Sequence, residues 1–340
     1  MSRISANSTP AGAVAPGTDA GRDERPYDRT SWRGLSLEHP PDWELARVSG
    51  PHEPGRLTFS DRRYHRLDVK WQQLTRKPNL DGMLEKYRRR TGKQTRTDIR
   101  DLSDLPDPWH GIVRDTPDGA AVHAARFFTE RRWLVEVVLV WPTGRTGQAR
   151  RRARGRTASG LGACDEAVQR RILQSVQAEP PDAETRLWQA MGVSLGLGRD
   201  WDLKVSRGDV GRIRWEFARA DKRGEQLVVE RLAMPEYWLG GALRDWLRQQ
   251  REEDYRLIRE GMVAVGGHRA CEVLSAAKVT PIRSLRGYKR VRRERAWQCP
   301  REDRVYHVTI THVRRDEELE FPENLNVRCC RDVPATVVEA

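Results

Sequence analysis

The sequence predicts an α+β protein of two tandem domains, each a mainly antiparallel sheet with flanking helices. Three observations carry that expectation. The stretch Trp32–Leu45 returns in altered form as Trp188–Leu203, with a second tryptophan, Trp43 or Trp201, just behind a turn in each copy. Short segments of alternating apolar and polar residues follow in both halves, the period-two pattern of half-buried strands. One amphipathic segment with helical spacing then appears in each half. At 340 residues the chain is long enough to bury two cores.

In the first half, Leu35 and Leu37 alternate with Ser36 and Glu38, and Pro40-Pro41-Asp42 turns the chain before Trp43. In the second, Val193, Leu195 and Leu197 alternate with small residues, and Gly198-Arg199-Asp200 turns it before Trp201. Further strands are expected at Arg56–Phe59 and Leu67–Trp71, matched by Arg212–Phe217 and Gln226–Leu232. Leu80, Met83, Leu84 and Tyr87 fall on one helical face behind an Asn79 cap. Their counterparts are Leu239, Leu243, Trp246 and Leu247, opening after Pro235 and running towards Tyr255.

Each half ends in a hairpin. Ala125–Phe128 is expected to pair with Trp133–Trp141, and Ala296–Cys299 with Val305–Val313. The segment Leu134–Trp141 is apolar on both faces except for Glu136, so it is expected to be covered on both sides. In Tyr306–Val313 one face is apolar and the other carries His307, Thr309 and Thr311, a face expected to meet water or a partner. A helix over Asp165–Gln177 and the linker Glu179–Asp182 close the first half; no closing helix is evident in the second. The domain plan is therefore a disordered tail over 1–29, a first domain over 30–180, and a second over 184–340 with a basic insertion at 278–295. Residues 30–180 are expected to fold alone.

This order, an opening hairpin with its Pro40-Pro41-Asp42-Trp43 turn, then strands, an amphipathic helix, antiparallel strands and a closing helix, resembles the PsbP/DcrB-like superfamily. The resemblance covers residues 32–177 and, less fully, 188–330, where the final helix is missing and residues 278–295 are inserted. It implies a non-enzymatic binding or assembly protein. No catalytic motif accompanies it, so no functional residue is carried over.

The formal charge of +13 first suggests nucleic acid, but only eight of the 62 basic residues are lysine, an arginine bias that GC-rich coding produces unaided. The excess is also local. Residues 145–156 and 283–295 each carry a net +6, leaving the remainder nearly neutral. Both segments are expected as loops at corresponding hairpin ends, where arginine forks suit phosphate. Arg150, Arg151, Arg152 and Arg154, with Arg290, Arg292, Arg293 and Arg295, are the candidate polyanion contacts. Only Tyr288 lies within these loops to stack on a base.

Chemistry is sparsely signalled. Cys299, His307, His312, Cys329 and Cys330 crowd the last domain without CxxC or HxxxH spacing, and His307 and His312 face opposite sides of a strand, so no metal is expected. His268 and Cys271 likewise point apart. Gly196-Leu197-Gly198 lacks the third glycine and the helix of a dinucleotide fingerprint. Glu136, the one acid in an apolar strand, is expected to pair with an arginine or to sit at a sheet margin. Five cysteines in no framework spacing suit a reducing cytoplasm. Neither a membrane span nor a signal peptide is evident. The expected function is a non-catalytic adaptor or assembly module binding another protein, without cofactor. The alternative is a nucleic-acid-associated protein gripping phosphates through the two arginine-rich loops, and a hydrolase using Cys271 or Glu136 is least supported.

Overall fold

The computed structural model describes residues 27–50, 53–94, 98–102, 104–116, 119–142, 165–221, 224–251, 253–278, 289–314 and 318–330. In the first half these form β1 (Asp28–Trp32), β2 (Leu35–His39), β3 (Glu44–Val48), β4 (Gly55–Ser60), β5 (His65–Gln73), α1 (Leu80–Gln94), β6 (Asp98–Asp101), β7 (His110–Thr116), β8 (Gly119–Phe128), β9 (Trp133–Pro142), α2 (Glu166–Ser175) and β10 (Gln177–Ala178). The second half comprises β11 (Thr185–Ala190), β12 (Val193–Gly198), β13 (Trp201–Asp209), β14 (Arg212–Arg219), β15 (Gln226–Ala233), α3 (Pro235–Trp238), α4 (Leu243–Gln250), β16 (Tyr255–Val265), β17 (His268–Ala277), β18 (Lys289–Cys299), β19 (Arg304–Arg314) and β20 (Asn326–Arg328).

The expected α+β class is corrected by this inventory: the protein is mostly antiparallel sheet, and its few helices do not make a flanking layer. The second amphipathic segment shows why. Gly240-Gly241 interrupts it, leaving one turn at α3 and eight residues at α4, and Tyr255 already begins a strand. The polar strands β13 and β16 alternate too weakly to stand out in sequence, because much of their length is solvent-facing. Strand β1 also begins at Asp28, inside the stretch expected as a tail.

Two seven-stranded sheets repeat one topology, β3-β4-β5-β9-β8-β7-β6 and β13-β14-β15-β19-β18-β17-β16. A third sheet joins the halves in the order β10-β2-β1-β11-β12-β20. At its centre β1 lies antiparallel to β11, with Ser31 opposite Gln189, so a pseudo-two-fold axis passes through this pair. Each of its hairpins turns on two residues of positive φ, Arg33-Gly34 (52° and 83°) and Met191-Gly192 (53° and 75°). This is the type I′ geometry whose twist matches the strands, with glycine where a side chain is least tolerated.

The halves share their core. One continuous buried cluster runs from Leu57, Phe59 and Val137 through Trp32, Leu37, Trp188 and Leu195 to Trp215, Phe217 and Ile310. Trp32 meets Trp188 and Trp215 edge-on, each at 5.2 Å between centroids. Its indole N–H donates to the Ser49 carbonyl at 3.1 Å. This interlocking is at odds with a first half that folds alone. The link between halves is pinned as well: the Glu179 carboxylate meets Arg131 from the first half and Arg186 and Arg199 from the second, at 3.3–3.4 Å.

Both turn tryptophans are buried, as their position implied: Trp43 packs 6.1 Å from Trp141, and Trp201 lies under the Arg219 guanidinium. Helix α1 is capped by Asn79, whose Oδ1 accepts from the Gly82 amide at 3.0 Å. Helix α2 packs against β2 and buries Ile172 and Leu173. Among the described residues no helix is long and apolar enough to cross a membrane.

Candidate functional site

Each seven-stranded sheet turns one face to the shared core and carries a short helix on the other. The registers put the two outer faces in correspondence. Lys70 stands opposite Glu136, which stands opposite Ala125. Glu230 stands opposite His307, which stands opposite Ala296. Thus Lys70 matches Glu230 and Glu136 matches His307. By the same count His123, opposite Val138, matches Glu294, opposite Thr309. The helices are fastened alike: Arg88 of α1 binds Asp101 on β6, and Arg244 and Arg248 of α4 bind Glu260 on β16.

On the first outer face, helix α1 packs against β6 and β7 and borders a groove of about 530 Å³ lined by Leu80, Met83, Tyr87, His123, Ala125 and Val138. A second hollow of about 300 Å³ continues it towards Trp71 and Gly55, sharing Lys70 and Glu136 with the first. Tyr87 and His123 form the polar point of the wall, with the hydroxyl 3.2 Å from Nε2. Burial, helped by the Arg114 cation, pushes the His123 imidazole down to about 4, so the ring is neutral near pH 7. Asp68 at the groove floor is gripped by both arms of Arg56, at 2.7 and 3.0 Å, and by Thr58. Burial pushes its carboxyl up, but these hydrogen bonds outweigh burial and hold it below the ordinary value.

The second outer face is filled at the matching place. His307 donates from Nδ1 to Glu230 and from Nε2 to Glu294, each at 3.0 Å. Arg212 and Arg214 bind the other oxygen of Glu230, and Arg292 binds Glu294 at 2.8 Å. Trp246 of α4 closes over the imidazole edge-on at 5.3 Å. Burial disfavours a charged ring, yet two carboxylates in contact outweigh it and raise the His307 pKa. Burial likewise pushes Glu230 up, and its bonds to His307 and Arg212 bring it down to about 2. The result is a buried lattice of alternating charges.

Two expectations about these faces therefore reverse. The polar face of β19 does not meet water: His307 and Thr309 are buried because Glu230, Glu294 and α4 cover them. The apolar strand β9 is not covered on both sides: Glu136 is exposed and Val138 half-buried, bordering the groove.

Arg150, Arg151, Arg152 and Arg154 lie outside the described residues. The other basic segment is strand from Lys289 onward. Arg290 is exposed, whereas Arg292 binds Glu294, and Arg293 and Arg295 bind Glu272 at 2.8 and 2.6 Å. Arg293 also reaches the Leu319 carbonyl, and Arg295 lies 4.5 Å from the Phe321 ring centroid. These arginines fasten the segment around Leu319 rather than forming a loose tip. Cys271 is buried against Met262, and burial pushes its thiol up, which suits an inert packing residue.

Two constellations escaped the sequence. Glu230 on β15 and Glu294 on the arginine-rich β18 share a face with His307, a coincidence that only the strand pairing reveals. The second gathers His268, Cys299, Cys329 and Cys330, whose side-chain donor atoms all lie within 4.8 Å of one another. His307, which the sequence groups with these cysteines, belongs to the ionic lattice, and the histidine beside them is His268.

No family model matches the chain, and no curated protein does. Among solved structures, the apo immunity protein TplEi of the T6SS from Pseudomonas aeruginosa aligns over 88% of this chain and 90% of its own, at 10% identity and a TM-score of 0.36. The same protein complexed with "L" peptide aligns over 86% and 90%, at 11% identity and a TM-score of 0.34. Likeness at this level carries no argument about function.

Proposed function

We propose that this chain is a non-catalytic protein-binding module that receives a partner in the groove of its first outer face. One observation carries the reading. The same sheet occurs twice, and where the second copy is packed shut by α4 and its ionic lattice, the first keeps an open channel with an apolar wall and a few placed polar groups. Such a concavity is the usual form of a recognition site. Its wall suits an apolar side chain, and the exposed Lys70 and Glu136 along the floor offer both charge signs to an extended segment. Protein chain fits this mixture better than nucleic acid, which needs a basic surface.

The test uses groove substitutions that spare the core. Met83→Arg and Val138→Arg, at partly exposed positions, should weaken binding of a co-purified partner by about tenfold or more, a loss near 1.4 kcal/mol. Their unfolding midpoints should stay near that of the parent. Gln at Arg150, Arg151, Arg152 and Arg154 should leave partner binding intact. The opposite pattern, with binding lost only on arginine replacement and steeply salt-dependent, would favour the polyanion reading.

A further inference from the structure

We propose that His268, Cys299, Cys329 and Cys330 form a structural zinc site that fastens the end of the described chain to the second sheet. The site is independent of the groove. Its four donors come from three places in the fold. His268 opens β17 and Cys299 closes β18; the pairing of those strands ends at Cys271 opposite Ala296, and continuing that register three residues brings His268 across from Cys299. Cys329 and Cys330 follow β20, the edge strand of the sheet shared by the halves.

The donor set is three thiols and one imidazole, the Cys₃His composition of closed tetrahedral zinc sites. Cys299 and Cys330 place their Sγ atoms 2.8 Å apart, and Cys330 Sγ lies 3.4 Å from His268 Nε2. Around zinc, with Zn–S near 2.3 Å and Zn–N near 2.0 Å, neighbouring donors stand about 3.5–3.8 Å apart. The sulfurs therefore need to open by about 1 Å to admit the ion. A disulfide between Cys299 and Cys330 would use two donors and leave His268 and Cys329 aimed at the same point without purpose.

The surroundings support the ligands. The Trp297 indole N–H donates to Cys329 Sγ at 3.4 Å, the kind of outer contact that steadies a thiolate. The Cys330 amide donates to Glu302 at 3.0 Å, and the other Glu302 oxygen accepts from the Tyr306 hydroxyl at 2.6 Å. This brace holds Cys330 at a φ of 56°, a backbone state that a non-glycine residue keeps only when its neighbours enforce it. With four protein donors no coordination position remains for substrate, so the ion is structural. Binding replaces the thiol protons: zinc enters and up to three protons leave to solvent.

The experiment takes the full chain, reduced and stripped with a chelator, and titrates it anaerobically with Co²⁺ and then Zn²⁺. One Co²⁺ should bind per chain with the visible bands of a tetrahedral thiolate centre, and Zn²⁺ should displace it. His268→Ala and Cys330→Ser should each weaken binding by about 100-fold or more, while Cys271→Ser leaves it unchanged. Zinc should raise the thermal midpoint of the stripped parent but not of the His268 variant. Should Cys330→Ser fail to fold, the parent titration and the His268 variant decide the matter. A reduced parent that gives no thiolate bands with Co²⁺ would overturn the proposal. So would equal Co²⁺ binding by the His268 and Cys271 variants, or a Cys299–Cys330 disulfide in a protein that binds no metal after reduction.

Discussion

The two outer faces share strand order and register and each carries a helix, α1 against β6 and β7 and α4 against β17 and β18, yet one is open and the other sealed. At one matched position stands Glu136, exposed beside a groove; at the other stands His307, buried between two carboxylates. At a second matched position stand His123, half-buried and neutral, and Glu294, fully buried and ion-paired. Backbone topology thus sets where a site can lie, and a handful of side chains decides whether that place is a site or a seal. The seal has a cost, because every buried charge must keep its partner.

The most severe way to break the comparison is to separate the halves. Residues 27–180 expressed alone should show no cooperative thermal transition, because Trp32 would lose Trp188 and Trp215 and the β1 edge would lose β11. A sharp transition in that fragment would show that the shared core is dispensable. Next comes the matched pair itself. His307→Ala leaves Glu230 and Glu294 buried without their common partner and should cost about 3–5 kcal/mol in urea unfolding. Glu136→Ala, at the same place in the other half, should stay within about 0.5 kcal/mol of the parent. Equal costs would mean that the first groove is as structural as the second.

Acid sharpens the contrast. His123 falls from 6.5 unfolded to about 4 folded, so the stability it contributes is present above pH 6.5 and lost as pH falls towards 4. The loss is on the order of 3 kcal/mol, and His123→Asn should flatten that part of the profile. His307 is shifted the other way. Its contribution is complete below pH 6.5 and is lost as pH rises through its raised folded value, so His307→Asn should alter the alkaline limb instead. Profiles that change on the same side would contradict the two assigned charge states. A smaller loss than that of either histidine belongs to Tyr87→Phe, which removes the contact with His123 and should cost about 1 kcal/mol.

Much of the frame was legible in the sequence. Trp43 and Trp201 announced their turns, Leu80 to Tyr87 announced a helix behind Asn79, and the final hairpins pair as their alternation implied. What covers a face was not legible. Periodicity separates Tyr306 from His307, but it does not reveal that Glu230, some seventy-seven residues earlier, lies beside the imidazole. The apolar run of Leu134–Trp141 suggested cover on both sides, but α1 packs against β6 and β7 and leaves Glu136 exposed and Val138 half-buried. The cysteine cluster was hidden for a similar reason. Its donors are joined by sheet register and by a chain end, and neither leaves a spacing motif. Arg293 and Arg295 of β18 read as loop contacts for a polyanion because their partners Glu272 and Leu319 lie on other segments.

The contact of Ser31 with Gln189, across the axis that relates the halves, is the self-matching contact of a two-fold dimer, here made within one chain. Two identical subunits meeting in that way would be bound to carry every change twice. A mutation that closed one groove would close the other, and one that loosened one lattice would loosen both. Joined through Glu179 and its three arginines, the copies escape that rule. Each substitution falls on one side only, so one half can specialise as ballast while its twin is left free to drift towards whatever it meets.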